Sequence, residues 1–228
     1  LSAEDLRALI DDDLVRALLV RLAEDEWILQ ITAHHIAHDG WSSGLIWRDL
    51  GAAYSARCTG AAGLPALTFQ YADYAVWQRG LEGQPAFVEA ERFWRAHLAG
   101  RTATLPLPTD RPRPLSPSGR IGQVACMIDA DSVTRLASFA GARRASVVTV
   151  TLAAFAVLLA RRCAGQSALV GQMVANRRGS ELEPLIGTFI NLVPVAVSFG
   201  DMMSFATLVE QVRAETLQAY EHSDYPFS

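Results

Sequence analysis

The chain is poor in cysteine: Cys58, Cys126 and Cys163 are three residues in 228, odd in number and far apart. That pattern fits neither a disulfide framework nor a zinc site, and it predicts reduced, unreactive thiols. Long apolar runs are also missing. The most hydrophobic stretch, Val147 to Leu159, is closed by Arg161 and Arg162; it falls short of the ~20 residues a membrane-spanning helix needs and reads as a buried core helix. A basic face is absent too. The net charge is −4 and the arginines are scattered rather than striped, which excludes a nucleic-acid surface. Leu1-Ser2-Ala3-Glu4-Asp5 has neither the basic nor the apolar region of a secretion signal, so cytoplasm is the expected location. There is no internal repeat and no low-complexity tract.

What is present is core-forming material, since half the residues are hydrophobic and the chain is long enough for one large or two small domains. Glu26 to His34 alternates, with Trp27, Leu29 and Ile31 on one side and Ile28, Gln30 and Thr32 on the other, which predicts a strand. Ser42 or Ser43 then caps a helix carrying Leu45, Ile46, Leu50, Ala53 and Tyr54. Leu67 to Gly80 and Phe87 to Leu98 read as scaffold helices. Prolines at 106, 108, 112, 114 and 117 mark an extended connector, and the boundary is placed there, dividing the chain into residues 1–115 and 116–228. Beyond it, Gln123 to Ile128 is strand-like, Asp131 caps a helix to about Gly141, and Ser146 or Thr149 starts the apolar helix, which ends before Gly165. Ala168 to Ala175 and Ile190 to Phe199 are strands, and Ser204 to Glu221 is an amphipathic helix. The expected class is mixed α/β.

Between the strand at Glu26 and its following helix lies His34-His35-Ile36-Ala37-His38-Asp39-Gly40, three imidazoles, a carboxylate and a glycine in seven residues. Imidazole exchanges protons near neutral pH, a carboxylate fixes ring or loop geometry, and glycine lets a backbone N–H approach a substrate oxygen. A strand-to-helix loop also places its groups beside the partial positive charge of a helix N-terminus, where an oxyanion is stabilised. These are the parts of an acyl-transfer site. A metal cluster is not expected, because His34 and His35 are adjacent at a strand end and diverge to opposite sides. His97 and His222 carry no site signal of their own.

The run HHIAHDG, continued by Trp41 and Ser42, resembles the HHxxxDG signature of the condensation domains of nonribosomal peptide synthetases. Six further segments are similar to family motifs and follow in family order. They are Tyr71-Ala72-Asp73-Tyr74-Ala75-Val76-Trp77-Gln78-Arg79; Phe93-Trp94-Arg95 with Leu98-Ala99-Gly100; and Leu107-Pro108-Thr109-Asp110-Arg111-Pro112-Arg113-Pro114. Val170 to Arg177, Ile186 to Asn191, and His222 to Phe227 complete the set. The resemblance implies two chloramphenicol-acetyltransferase-like mixed α/β lobes with the histidine loop at a tunnel between them. It also implies a domain longer than this chain. Asp11-Asp12-Asp13 fits poorly where the family reads "PFDLxxGPLLR", so incompleteness in the N-terminal lobe is expected.

His35, Asp39 and Gly40 form the expected catalytic set: by the same resemblance His35 is the reactive imidazole and Gly40 the donor of an N–H to the oxyanion, while Asp39 is a general acid/base or, as the family is mainly read, an architectural carboxylate paired with an arginine. The arginine is expected in the portion preceding Leu1. His34 braces the loop and, with Trp41, Ser42 and Asn191, belongs to the substrate-binding set; His38 faces solvent or the tunnel. Two departures from the family occur: Ala196 stands where an arginine is frequent, and Ser223 and Ser228 where Gln and Glu are common. The implied reaction joins an upstream acyl or peptidyl thioester to the amino group of a downstream aminoacyl thioester. Both ride on phosphopantetheine arms of peptidyl carrier proteins, beside an adenylation domain, with no cofactor bound by the domain itself. The alternatives are a CoA-dependent acyltransferase with a His-x-x-x-Asp motif and a non-catalytic recruitment platform, of a kind that tends to lose the second histidine. Epimerisation and cyclisation domains fit less well, differing after the aspartate or replacing the histidines with aspartates.

Overall fold

The computed structural model describes residues 13–101, 105–112, 114–116, 118–163, 167–200 and 203–226. The Leu1–Asp5 terminus, Asp11, Asp12, Arg113, Pro117, Gly165, Phe227 and Ser228 lie outside them. Among the described residues ten elements follow in order: β1 (Val15–Arg21), β2 (Trp27–Ala33), α1 (Gly40–Thr59), α2 (Tyr71–Arg79), α3 (Pro85–Leu98), α4 (Ala130–Gly141), α5 (Val147–Cys163), β3 (Ser167–Val174), β4 (Asn191–Ser198) and α6 (Phe205–Glu221). They form two two-stranded sheets with helices, the expected mixed α/β class. No helix among the described residues is long and apolar enough to cross a membrane. Cys58, Cys126 and Cys163 are free thiols.

The chain forms two compact units, Leu1–Val88 with Ala175–Asn191, and Glu89–Val174 with Leu192–Ser228. Each unit is discontinuous in sequence. The reason lies in two stretches. Trp94 of α3 is buried among α5, β4 and α6 residues of the second unit, and its indole N–H donates to the His222 carbonyl at 3.0 Å. The segment between β3 and β4 carries Leu185 and Phe189, which pack with Tyr74 of α2 in the first unit.

In the second unit β4 presents Val193, Val195 and Val197 inward with the period of two that a strand imposes. Against them pack Ala153 and Ala156 of α5 and Leu208, Val209 and Val212 of α6. The small alanines let α5 approach closely, and the α6 residues share one helical face. Ser204 caps α6 by accepting from the Thr207 N–H. Ala196, at the position where the family often has arginine, is buried. Ser223 is buried and its hydroxyl donates to the Tyr220 carbonyl at 2.9 Å. His222 stacks on Phe93 at 3.7 Å between ring centroids, and His97 Nε2 lies 3.1 Å from Glu215 Oε2. Both histidines thus belong to the α3–α6 packing.

Three expectations change. Asp129, not Asp131, caps α4, its carboxylate accepting from the Ser132 N–H at 2.7 Å. The expected strand Gln123–Ile128 is not formed: Val124 is 88% and Met127 96% exposed, and a strand-like sequence without an adjacent edge to pair with has no ladder to join. Conversely β1, unforeseen, pairs antiparallel with β2 along its whole length, from Val15 opposite Ala33 to Arg21 opposite Trp27.

The β1–β2 hairpin leaves large apolar side chains exposed on both faces, with the neighbours Leu18 and Leu19 pointing opposite ways and Trp27 and Ile28 doing the same. Such a two-stranded ribbon is only marginally stable unless its faces are covered. Expressed alone, the 228-residue chain is expected to self-associate. Size-exclusion chromatography over a concentration series should show elution ahead of a 24.8 kDa globular standard, and the double substitution Leu18→Lys and Val20→Lys should shift it toward the monomer; a concentration-independent monomer for the unsubstituted chain contradicts this.

Candidate active site

The histidine loop closes between β2 and α1 as a turn over residues 35–37. Its local bonds radiate from His34: the Ala37 N–H donates to the His34 carbonyl at 2.9 Å, the Ile36 N–H donates to His34 Nδ1 at 3.1 Å, and His38 Nδ1 lies 3.2 Å from the same carbonyl. The His35 ring is exposed and lies 5.7 Å from that of His38. Among the described residues, no cluster of three His, Cys, Asp or Glu is placed to hold a metal ion.

The helix begins one residue after Asp39, which is its N-cap; the carboxylate accepts from the Ser42 N–H at 2.8 Å. This corrects the assignment of the cap to Ser42 or Ser43. Ser42 is free for another task because Asp39 already satisfies that end of the helix. Its hydroxyl donates to the Gly187 carbonyl at 2.8 Å and accepts from the Gly187 N–H and from Arg177 Nη2, both at 3.0 Å. Ser42 is fully buried, so it has no surface to offer a substrate and serves as an internal brace. Gly40, the first helical residue, is exposed, does not adopt a left-handed φ, and has open space where a Cβ would lie. Its expected conformational freedom is not used here.

The arginine paired with Asp39 is Arg177, inside the chain and not ahead of it. It follows β3 at the turn where Asn176 takes a left-handed φ of 49°, a conformation that asparagine tolerates better than most residues. Arg177 Nη2 lies 3.2 Å from Asp39 Oδ1 and 3.4 Å from Oδ2, while Nη1 donates to the carbonyls of Leu182 and Leu185 at 2.6 and 2.8 Å. Both side chains are buried, and the guanidinium sits 4.0 Å over the Phe189 ring. Burial alone pushes the Asp39 carboxyl upward; the N–H groups of Ser42 and Phe189, the Ser42 hydroxyl and the Arg177 charge outweigh it and hold the group below the ordinary carboxylate range.

A second arm of the network runs through Gly187-Thr188-Phe189. The Phe189 N–H donates to Asp39 Oδ2 at 3.0 Å, and the Thr188 hydroxyl donates to the His35 carbonyl. Trp41 points its indole N–H at the Glu183 carbonyl, 3.0 Å away, leaving the ring half-exposed. Asn191 opens β4 and is half-buried. Sequence reasoning missed Arg177, Gly187, Thr188 and Phe189 as site residues, although Val170 to Arg177 and Ile186 to Asn191 had been singled out as motif segments. Their adjacency to Asp39 was the missing information.

The chain matches the condensation-domain family over residues 4–228. It belongs to that family. Phosphinothricin tripeptide synthetase PhsC of Streptomyces viridochromogenes is 38% identical over 231 residues, covering all of this chain and 21% of that protein. Malpinin synthetase of Mortierella alpina is 37% identical over 216 residues, covering 94% of this chain and 3% of the relative. Among solved structures, the X-domain in its complex with OxyB from teicoplanin biosynthesis has a TM-score of 0.86 at 35% identity, over 99% of this chain and 53% of that one. The chain thus spans about half of a solved domain and a small part of each synthetase. Its architecture is the chloramphenicol-acetyltransferase-like mixed α/β fold of this condensation-domain family.

Removing one member of the buried pair leaves the other charge unpaired, which costs about 3–5 kcal/mol. Arg177→Met and Asp39→Ala are each expected to lower the unfolding free energy from urea titration by an amount of that order at pH 7, and the double variant should be less destabilised than the sum. Because the Asp39 pKa is depressed on folding, its contribution is complete above the unfolded value of about 3.9 and is lost as pH falls through the lower folded value. The gap between wild type and Asp39→Asn should therefore begin to narrow below about pH 4; a gap constant from pH 7 to pH 3 contradicts the pairing.

Proposed function

We propose that the chain carries the acyl-transfer loop of a condensation domain and that this loop forms an amide bond between two carrier-bound thioesters. The observation that carries the reading is the contrast within the motif: Asp39 and Ser42 are buried and fully engaged below, whereas the His35 imidazole stands exposed above. A structural histidine is normally held by its surroundings; one displayed on a braced loop is available to a substrate.

In the proposed reaction the neutral α-amine of the downstream aminoacyl thioester attacks the carbonyl carbon of the upstream acyl or peptidyl thioester. A C–N bond forms, the tetrahedral oxyanion collapses, the C–S bond breaks, and the proton lost by nitrogen ends on the departing thiolate. A free α-amine has a pKa of about 7.7–8.0, so a substantial fraction is already neutral near neutral pH and little general-base force is required. His35 then orders the amine and takes its proton as the intermediate forms, the larger contribution being the placement of two tethered reactants. The N–H of Gly40, the first helical residue of α1, has no intrahelical acceptor and is the donor assigned to the oxyanion. The upstream and downstream peptidyl carrier proteins supply the phosphopantetheine arms, with an adenylation domain loading the acceptor.

A second reading is favoured by the likeness to the teicoplanin X-domain, a protein solved in complex with OxyB: a platform that recruits a partner enzyme. His35 separates the two. In the intact protein supplied with loaded carrier proteins, His35→Ala is expected to lower the condensation rate at least about tenfold without altering the melting temperature, read as dipeptidyl carrier by mass spectrometry. No product from the wild type, or unchanged product from the variant, overturns the catalytic reading.

A further inference from the structure

We propose that Thr188 is a positioning residue for His35, holding the imidazole in its working orientation through the His35 peptide. The inference rests on the assignment of His35 above. Among the described residues, the bonds within the loop converge on His34, whereas the His35 carbonyl is held by the Thr188 hydroxyl. The brace for the reactive residue thus comes from a part of the chain 153 positions away.

Thr188 is itself fixed on every side. Gly187 before it is bound at both N–H and carbonyl by the Ser42 hydroxyl, and Phe189 after it gives its N–H to Asp39. The Tyr71 hydroxyl donates to the Thr188 carbonyl at 2.9 Å, and the Tyr71 ring meets Phe189 edge-on at 5.1 Å between centroids. Position 187 has to be glycine for this arrangement, since a Cβ there would lie 2.1 Å from the Tyr71 ring. The result is a backbone clamp with one side chain projecting from it to the loop. Threonine suits the place: its β-branched side chain restricts χ1, and its hydroxyl supplies the donor that the His35 carbonyl accepts.

The half-exposed setting of this bond makes it separable from folding. Losing the donor frees a carbonyl that water can reach, so stability should change little while the loop gains freedom, and small misplacements at a reacting centre cost rate disproportionately. The test is kinetic, in the intact protein with loaded carrier proteins, comparing wild type with Thr188→Val, which keeps the shape and loses the hydroxyl, and Thr188→Ser, which keeps the hydroxyl. Thr188→Val is expected to lower kcat about tenfold with KM for the downstream carrier within about twofold, and Thr188→Ser to stay within about threefold of wild type. In a His35→Ala background Thr188→Val should have no further effect. Wild-type kcat for Thr188→Val, equal losses for Val and Ser, or full additivity with His35→Ala overturns the proposal. If His35→Ala is slow while Thr188→Val is normal, only this inference falls; if His35→Ala is unimpaired, the catalytic assignment falls with it.

Discussion

The site depends on one buried ion pair. Asp39 and Arg177 are removed from water together, and neither is tolerable there without the other: an unpaired charge in such a position costs several kcal/mol, far more than the pair gains over a hydrophobic substitute. The consequence is geometric. Asp39 must accept from Ser42, Phe189 and Arg177 at once, so the start of α1, the 187–189 segment and the turn after β3 are held in one arrangement. The loop that carries His35 thus ends on a carboxylate buried away from the surface.

This division of labour explains why the motif contains both kinds of residue within seven positions. The lower half, Asp39 with Ser42 just beyond, is committed to intramolecular partners. The upper half, His35 above all, stands at the surface. A pair of aromatic contacts supports the lower half, since Phe189 lies beneath the Arg177 guanidinium and against both Tyr71 and Tyr74. Charge, hydrogen bonding and ring packing meet at a single residue there.

Much of this was legible in the sequence. Alternation located β2, helical spacing located α1, the apolar run located α5, and the amphipathic pattern located α6. The errors have a common origin. Ser42, Ser43 and Asp39 all satisfy the local rules for a helix cap, and what selects Asp39 is Ser42's engagement with Gly187, 145 residues away. Asp131 and Asp129 posed the same ambiguity on a smaller scale. Arg177 was in view as part of a motif segment, yet periodicity carries no information about which distant residue a guanidinium meets, so its partnership with Asp39 was placed outside the chain. For residues 123–128 the composition was that of a strand, but strand formation requires a neighbouring edge, which no local pattern encodes.

The separation between the loop and its braces has a consequence for biosynthesis. Asp39 is joined to Arg177 across 138 positions and to Phe189 across 150. A ribosome adding about 5–20 residues per second exposes the histidine loop many seconds before any residue that fixes it. Throughout that interval Asp39 can do no more than cap α1, and the Ser42 hydroxyl has neither Gly187 nor Arg177 to meet. The reactive geometry is therefore a late event in the life of the chain, dependent on contacts of high sequence separation that form slowly, and premature release or pausing ahead of residue 189 would leave the motif complete in sequence and unassembled in space.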